Sequence, residues 1–181
     1  MRKLIVAEFI ALDGVVESPE RWHMAYVDAE MFAAMWPADS DVDTLLLGRV
    51  TYDSFAGAFA HGSDDDPVVA NMNRPEKIVV TGKAGDLSWK NSRKLAGPDV
   101  ATAVRALKAE PGGSIAVVGS TTLARTLLGA GLVDEISLLL HPVVVGTGGR
   151  LFPATGPGAT FELASCTPLK SGVVHLTYRK A

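Results

Sequence analysis

Three apolar runs in this 181-residue chain end in a glycine flanked by hydroxyl or cationic side chains. Leu45-Leu46-Leu47 leads into Gly48-Arg49-Val50-Thr51, Ala116-Val117-Val118 into Gly119-Ser120-Thr121-Thr122, and Val79-Val80-Thr81 into Gly82-Lys83. A glycine at a strand end lets the backbone approach a ligand closely. A helix that begins there aims free N–H groups and the positive end of its dipole at an anion. Guanidinium forks and ammonium point charges both suit phosphate oxygens. Taken singly, Ser120 and Thr121 read as plain helix caps. Two strand-glycine-helix junctions together with Arg49 shift the reading to a ligand carrying two or more phosphates. At the third junction Thr81 and Lys83 could grip one more phosphate, and an ordinary turn with a solvated lysine explains them equally well.

A second group of side chains lies between residues 13 and 28. Asp13 and Glu17 flank the first turn. Trp22, His23 and Tyr26 offer an aromatic wall for a flat heterocycle, or simply core packing. Asp28 could orient an amino-substituted ring if its carboxylate sits in an apolar cleft. Its place just ahead of a helical pattern gives the other reading, a helix cap. Gly146-Thr147-Gly148-Gly149 matches neither the dinucleotide fingerprint nor a P-loop, so a turn and a ligand cradle stand side by side. No Ser-His-Asp set or acid pair is found, and the four histidines have no metal-ligand spacing.

These groups must be positioned by the elements between them. Leu4 to Ile10 is a near-continuous apolar run, the mark of a strand buried on both faces. Asp13-Gly14 breaks it in a turn, and residues 15–27 read as irregular. Met31, Phe32, Met35 and Trp36 share one face of a helix over 28–36 that Pro37 stops. Strands are expected over 43–47 and 77–81, with a short one over 87–89. A short helix should open at Val50–Phe55, and residues 61–67 read as a polar loop. Asp99 should cap a helix that ends at Pro111-Gly112-Gly113. Strands over 114–118 and 135–141 bracket a helix carrying Leu123, Leu127 and Leu128. Residues 160–166 and 173–179 read as a hairpin turned at Ser171-Gly172. Strands alternating with helices predict an α/β fold with a mostly parallel sheet and an antiparallel hairpin at one edge.

Hydrophobic residues make up 48% and charged residues 20%, ordinary for a globular chain whose length suits one domain over 1–181. The net charge of -3, with no Lys/Arg cluster, argues against a nucleic-acid partner. The single cysteine, Cys166, excludes an internal disulfide and is expected to be a small buried hydrophobe in a strand. The N-terminal run lacks a secretory-signal pattern because Glu8 and Asp13 interrupt it. The most apolar stretch, Leu138 to Val145, is broken by His141 and Pro142 and is too short to span a bilayer. A cytoplasmic protein with no membrane partner is expected. That same stretch fits either a buried central strand or a homodimer interface.

The junctions follow the order seen in the dihydrofolate reductase superfamily, which this chain resembles over nearly its whole length. Gly48-Arg49-x-Thr51-Tyr52 resembles that family's cofactor segment, and Lys77-Ile78-Val79-Val80-Thr81 its strand leading to the ribose-phosphate site. Val118-Gly119-Ser120 resembles its pyrophosphate turn. Ser120 stands where folate reductases carry the second glycine of a cis peptide. A more specific block is Gly131-Leu132-Val133-Asp134-Glu135-Ile136, followed by Pro142-Val143-Val144-Val145-Gly146-x-Gly148-x-x-Leu151-Phe152. It is similar to the C-terminal reductase domain of the bifunctional riboflavin-biosynthesis protein RibD, as is the opening Ala11-Leu12-Asp13-Gly14.

The resemblance implies a three-layer dihydrofolate-reductase-like fold with helices on both faces of the sheet. It implies an NADPH site lined by Gly48, Arg49, Thr51, Thr81, Lys83, Gly119, Ser120 and Thr121. Lys83 would sit at the 2′-phosphate that separates NADPH from NADH. It implies a substrate side formed by Asp13, Trp22, His23 and Tyr26, with Asp28 roughly where folate reductases bind the pterin ring. The implied activity is that of 5-amino-6-(5-phosphoribosylamino)uracil reductase, hydride transfer to a pyrimidine- or pterin-like small molecule, in a homodimer. A non-catalytic nucleotide-binding or regulatory protein on the same fold, and a folate reductase proper, are the alternatives. The riboflavin-type block argues against the last. No zinc-deaminase signature is present, which excludes RibD's companion deaminase activity.

Overall fold

The apolar runs become the middle of a sheet, where no face is left for water. The computed structural model describes residues 1–37, 39–82, 85–97, 99–152, 154 and 158–181. Its strands are β1 (Leu4–Ala11), β2 (Val42–Gly48), β3 (Glu76–Val80), β4 (Ser92–Lys94), β5 (Ser114–Val118), β6 (Glu135–His141), β7 (Phe161–Pro168) and β8 (Val174–Lys180). They form one eight-stranded sheet in the order β4-β3-β2-β5-β1-β6-β8-β7. The pairings among β1 to β6 are all parallel. The β6–β8 and β7–β8 pairs are antiparallel, which sets the expected hairpin at one edge.

Helices lie on both faces, as expected. Alternate strand residues Val6, Leu46, Ile78, Val117 and Leu138 pack under α4 (Val100–Ala109) and α5 (Thr121–Gly129), through Val104, Leu107, Leu123 and Leu127. The intervening residues face the other way. Leu45, Leu47, Val79 and Ala116 meet α2 (Arg49–Phe59) and α3 (Pro67–Asn73). Phe9 and Leu139 meet α1 (Ala29–Met35) on that same face. The period-2 alternation of each strand therefore feeds two separate apolar layers.

Chain order now fixes where a crevice must open. β2 and β5 are neighbours, yet α2 leaves β2 toward one face and α5 leaves β5 toward the other. Open α/β sheets bind ligands beyond the carboxyl ends of strands at such a switch point. Gly48 and Gly119 are the residues on either side of it.

Several local expectations are corrected. The strand expected at 87–89 is not there. The side chain of Trp89 is wholly buried against α2 and α3, and its backbone N–H donates to Tyr52 Oη at 2.8 Å instead of a ladder carbonyl. The fourth strand follows at Ser92–Lys94, after Asn91 turns the chain with φ 57°. The polar loop over 61–67 passes directly into α3, with the Asp66 carboxylate accepting from Val68 N and Pro67 at the first helical position. The short helix after Val50 runs to Phe59. Cys166 is exposed rather than buried, because β7 is the outermost strand. The Leu138–His141 part of the apolar Leu138–Val145 stretch lies in an internal strand, with β1 on one side and β8 on the other, while Val144 beyond it is exposed.

Trp89 also organises a buried polar group. Its indole N–H donates to Asn73 Oδ1 at 2.6 Å, and the wholly buried Lys77 sits 4.5 Å above its ring while donating to the Asn73 carbonyl at 2.8 Å. Trp89→Ala should remove the largest fully buried side chain and its ring partner, at a cost of about 4 kcal/mol. Urea unfolding monitored by far-UV circular dichroism checks this, and a loss under about 1 kcal/mol would show the layer to be weakly coupled to folding.

Candidate active site at the carboxyl edge of the sheet

The two switch-point junctions are physically joined. The Ser120 hydroxyl accepts the Gly48 N–H at 3.0 Å and donates to the Val118 carbonyl at 3.3 Å, linking the ends of β2 and β5. Thr51 on α2 donates from its hydroxyl to the Gly119 carbonyl at 3.1 Å. Gly119 has φ 64°, and a side chain there would meet Thr51 Cγ2 at 3.3 Å and Phe55 Cζ at 3.5 Å, so only glycine fits comfortably. None of the described peptide bonds is cis, so the turn at Ser120 is made by the positive φ of Gly119.

Among the α-helices, side-chain capping separates the two starts here from the other three. α1, α3 and α4 are capped by Asp28, Asp66 and Asp99, whose carboxylates accept first-turn N–H groups. α2 and α5 start at Gly48 and Ser120 with no side-chain cap. Their first-turn N–H groups have no partner within the helix, and the two helix starts lie side by side at the switch point. Thr121 opens α5 and Arg49 opens α2, where its Nε donates to both carboxylate oxygens of Asp53 at 2.8 and 2.9 Å. Thr81 follows the carboxyl end of β3, two strands from β5. Lys83 lies outside the described residues.

The two glycine-rich segments expected near the site interlock beside the ends of β1 and β6. Asp13 accepts from Gly146 N at 2.8 Å and Glu17 from Gly149 N at 2.6 Å. Val15 and Arg150 form a bridge, and the Leu151 N–H reaches the Gly14 carbonyl. The Gly146 N–H, and next to it burial acting the other way, set the Asp13 carboxyl, which stays below its ordinary value. Asp13 thus shapes the platform and its carboxylate is already engaged. Asp28 accepts from Met31 N at 2.8 Å and is exposed, which realises the helix-cap reading.

Trp22, His23 and Tyr26 do come together, around a residue the sequence reading passed over. His141, wholly buried at the end of β6, is ringed edge-on by Phe9, Trp22 and Tyr26 at centroid distances of 5.6, 5.2 and 5.5 Å. His23 stacks on Phe9 at 4.6 Å and lies 6.1 Å from His141. His141 Nδ1 is 2.8 Å from the Leu139 carbonyl, which can only accept. The proton therefore sits on Nδ1 and the lone pair on Nε2. That Nε2 and His23 Nδ1 are buried and have no partner among the described residues. Desolvation pushes both imidazoles below their ordinary 6.5, so both are neutral near pH 7. Two unpartnered nitrogens in one aromatic pocket suit a bridging water or a polar edge of a ligand.

Glu8 is the second residue missed. It lies in the central strand on the face that carries Val6 and Ile10 into the core, only 7% exposed. The Gly119 N–H points at its carboxyl group, and Oε1 has no partner among the described residues. Burial pushes its pKa up to about 8, with the Gly119 N–H opposing the shift. Both misses had a signal in the sequence. Glu8 and His141 are the sole ionisable residues inside their apolar runs, and a polar group in a doubly buried strand must have a reason.

Comparison with known proteins follows the same lines. Residues 2–175 match the family model of the RibD C-terminal domain. The chain is similar to the uncharacterized protein YyaP of Bacillus subtilis, at 26% identity over 98% of this chain and 94% of that protein. Its fold is shared with a putative riboflavin biosynthesis protein from Shewanella sp. PV-4, with TM-score 0.70, 17% identity and 99% of each chain covered. It is also shared with a pyrimidine reductase-like protein from Corynebacterium diphtheriae, with TM-score 0.59 and 11% identity over 99% of this chain and 92% of that one.

The buried acid makes stability depend on pH with a defined sign. Because the folded pKa of Glu8 lies above its unfolded value, the native state keeps a proton that the unfolded chain has lost, and stability falls as pH rises toward 8. His23, His141, His175 and Lys77, all lowered by burial, act the opposite way, and do so equally in the native protein and in Glu8→Gln. Between pH 6.5 and 8, denaturant unfolding should show the native protein losing about 2 kcal/mol relative to Glu8→Gln. Identical slopes in the two proteins would contradict the assignment.

Proposed function

This chain belongs to the RibD C-terminal domain family, and on that premise we propose that it is an NADPH-dependent reductase of a pyrimidine- or pterin-like small molecule. The observation that carries the proposal is the pair of uncapped helix starts, α2 and α5, brought side by side by the Ser120 hydroxyl at the switch point. A pyrophosphate is the ligand such a donor set fits, since two neighbouring helix N-termini offer several N–H groups and the positive ends of two dipoles. The bare Gly119 turn, which a side chain would fill, leaves room for it. Gly48, Arg49, Thr51, Gly119, Ser120 and Thr121 would hold the dinucleotide, with Thr81 and Lys83 toward its 2′-phosphate.

When bound, the nicotinamide cofactor supplies the hydride. The remaining work falls to this chain's own groups. The platform clasped by Asp13 and Glu17 closes the ends of β1 and β6 against water. The aromatic group of Phe9, Trp22, His23 and Tyr26 offers flat apolar surface for a heterocycle. His141 Nε2 and His23 Nδ1 are the polar atoms available there to orient it and to carry a proton. Membership of a family whose reductases use a nicotinamide cofactor supports this reading, as does the likeness to a pyrimidine reductase-like protein.

Fluorescence titration with NADPH should show saturable binding, and pyrimidine acceptors should drive loss of absorbance at 340 nm. Absence of NADPH binding at high micromolar concentration would end the reductase reading. Gly119→Val should weaken NADPH at least tenfold, about 1.4 kcal/mol, while circular dichroism stays native. Lys83→Ala should weaken NADPH more than NADH. Equal loss for both would remove Lys83 from the 2′-phosphate.

A further inference from the structure

The Gly119 N–H has two claimants. The turn it belongs to is exposed on one side, where the free amides of α5 begin, and on the other side its N–H points at the buried carboxyl of Glu8. Strand register sets Glu8 beside Gly119, one residue beyond the Ala7–Val118 pair, and Glu8 Oε1 lacks any partner among the described residues. A phosphate seated on the turn would compete for the same amide. It would also place a second negative charge across a single turn from the carboxylate, in surroundings with little water to screen it.

We propose that Glu8 is a positioning residue of the nucleotide site: as a carboxylate it holds the Gly119 N–H inward, and on binding of a ligand phosphate it gives up that donor and takes a proton from solvent. The inference rests on the nucleotide-binding reading above. The only covalent change is the new O–H bond at Glu8. By linkage, the proton and the phosphate then favour each other's binding by the same factor.

Among the described residues, no other charge acts on Glu8. Its carboxyl responds to burial and the Gly119 amide alone. On the elements packed over that face, Lys108 is paired with Asp134, Arg125 with the Arg150 carbonyl, Arg150 with Asp13 and Glu17 with the Gly149 amide, while Arg105 is exposed beside Asp99. Lys77 also titrates near pH 8, but it lies on the opposite face under Trp89.

The test uses the whole protein and two probes, NADPH and NADH. The second lacks the 2′-phosphate, whose own ionisation near pH 6 would otherwise mix with that of Glu8. For both probes the dissociation constant should be flat near pH 7 and rise at least about tenfold by pH 9. In Glu8→Gln the rise should shrink to under about twofold, with tighter binding than the native protein at pH 9. Calorimetry in two buffers of different ionisation enthalpy checks the native protein without any substitution, and should detect net proton uptake on NADPH binding at pH 8. Binding that is equally pH-dependent in Glu8→Gln, or that takes up no proton, overturns the role of Glu8 and leaves the nucleotide site standing. Failure of both nucleotides to bind at pH 6.5, where Glu8 is neutral, overturns the nucleotide site and this inference with it.

Discussion

Two neighbouring parallel strands whose helices depart to opposite faces cannot close over their own ends. In this fold those strands are β2 and β5, and the gap they leave is held at one width by the Ser120 hydroxyl, bonded to the Gly48 N–H across it. The other features of the site follow from that constraint. Neither α2 nor α5 can be capped by its own side chains without filling the gap, so both begin at residues with no cap bond. Gly119 must turn with a positive φ because Thr51 and Phe55 of α2 leave no room for a side chain. The donors that a cap would have satisfied are left to face outward together.

The chemistry on the other side of β1 has a different physical basis. Here the molecule keeps polar atoms inside apolar layers without satisfying them. His141 Nε2, His23 Nδ1 and Glu8 Oε1 are all buried and have no partner among the described residues. Each such group opposes folding by about 1–3 kcal/mol. They cluster at the carboxyl edge, on β1, β6 and the segment between β1 and α1. Ser92 Oγ at the start of β4 and Ser171 Oγ in the turn before β8 are also buried without a partner among the described residues, whereas the buried charged groups elsewhere are satisfied. Lys77 is bonded to the Asn73 carbonyl, Lys108 to Asp134 and to the Leu132 carbonyl, and Arg2 to Thr44 and to the Gly113 carbonyl. Among the described residues, the buried ionisable groups that lack a partner lie at or beside the carboxyl edge, which marks that edge as the place where a ligand completes the structure.

Glu8 belongs to the turn side of the site. It stands in the central strand beside the phosphate-type turn at the end of β5, on the sheet face opposite the aromatic pocket, with the Gly119 amide directed at it. A neutral carboxyl in this place costs little, whereas a carboxylate is forced against a low dielectric. That asymmetry turns a static contact into one that responds to charge on either side of the turn.

Much of the fold was legible because it is written in local patterns. Apolar runs bounded by glycine placed β1, β2, β3, β5 and β6, and carboxylates ahead of apolar periodicity placed the caps Asp28 and Asp99. The junction glycines and the Asp13 and Gly146 segments were visible for the same reason. Other features depended on contacts between distant residues. Trp89 looked like strand until its backbone N–H was seen to go to Tyr52, 37 residues away. Cys166 looked buried because nothing in its neighbours reveals that β7 lies at the sheet edge. Gly48 and Ser120 stand 72 residues apart, and only strand order makes them partners. Glu8 and His141 were written plainly in the chain, but their meaning was not. A lone charge in an apolar run signals burial, while its partner, or the lack of one, is decided by what the folded chain places opposite it.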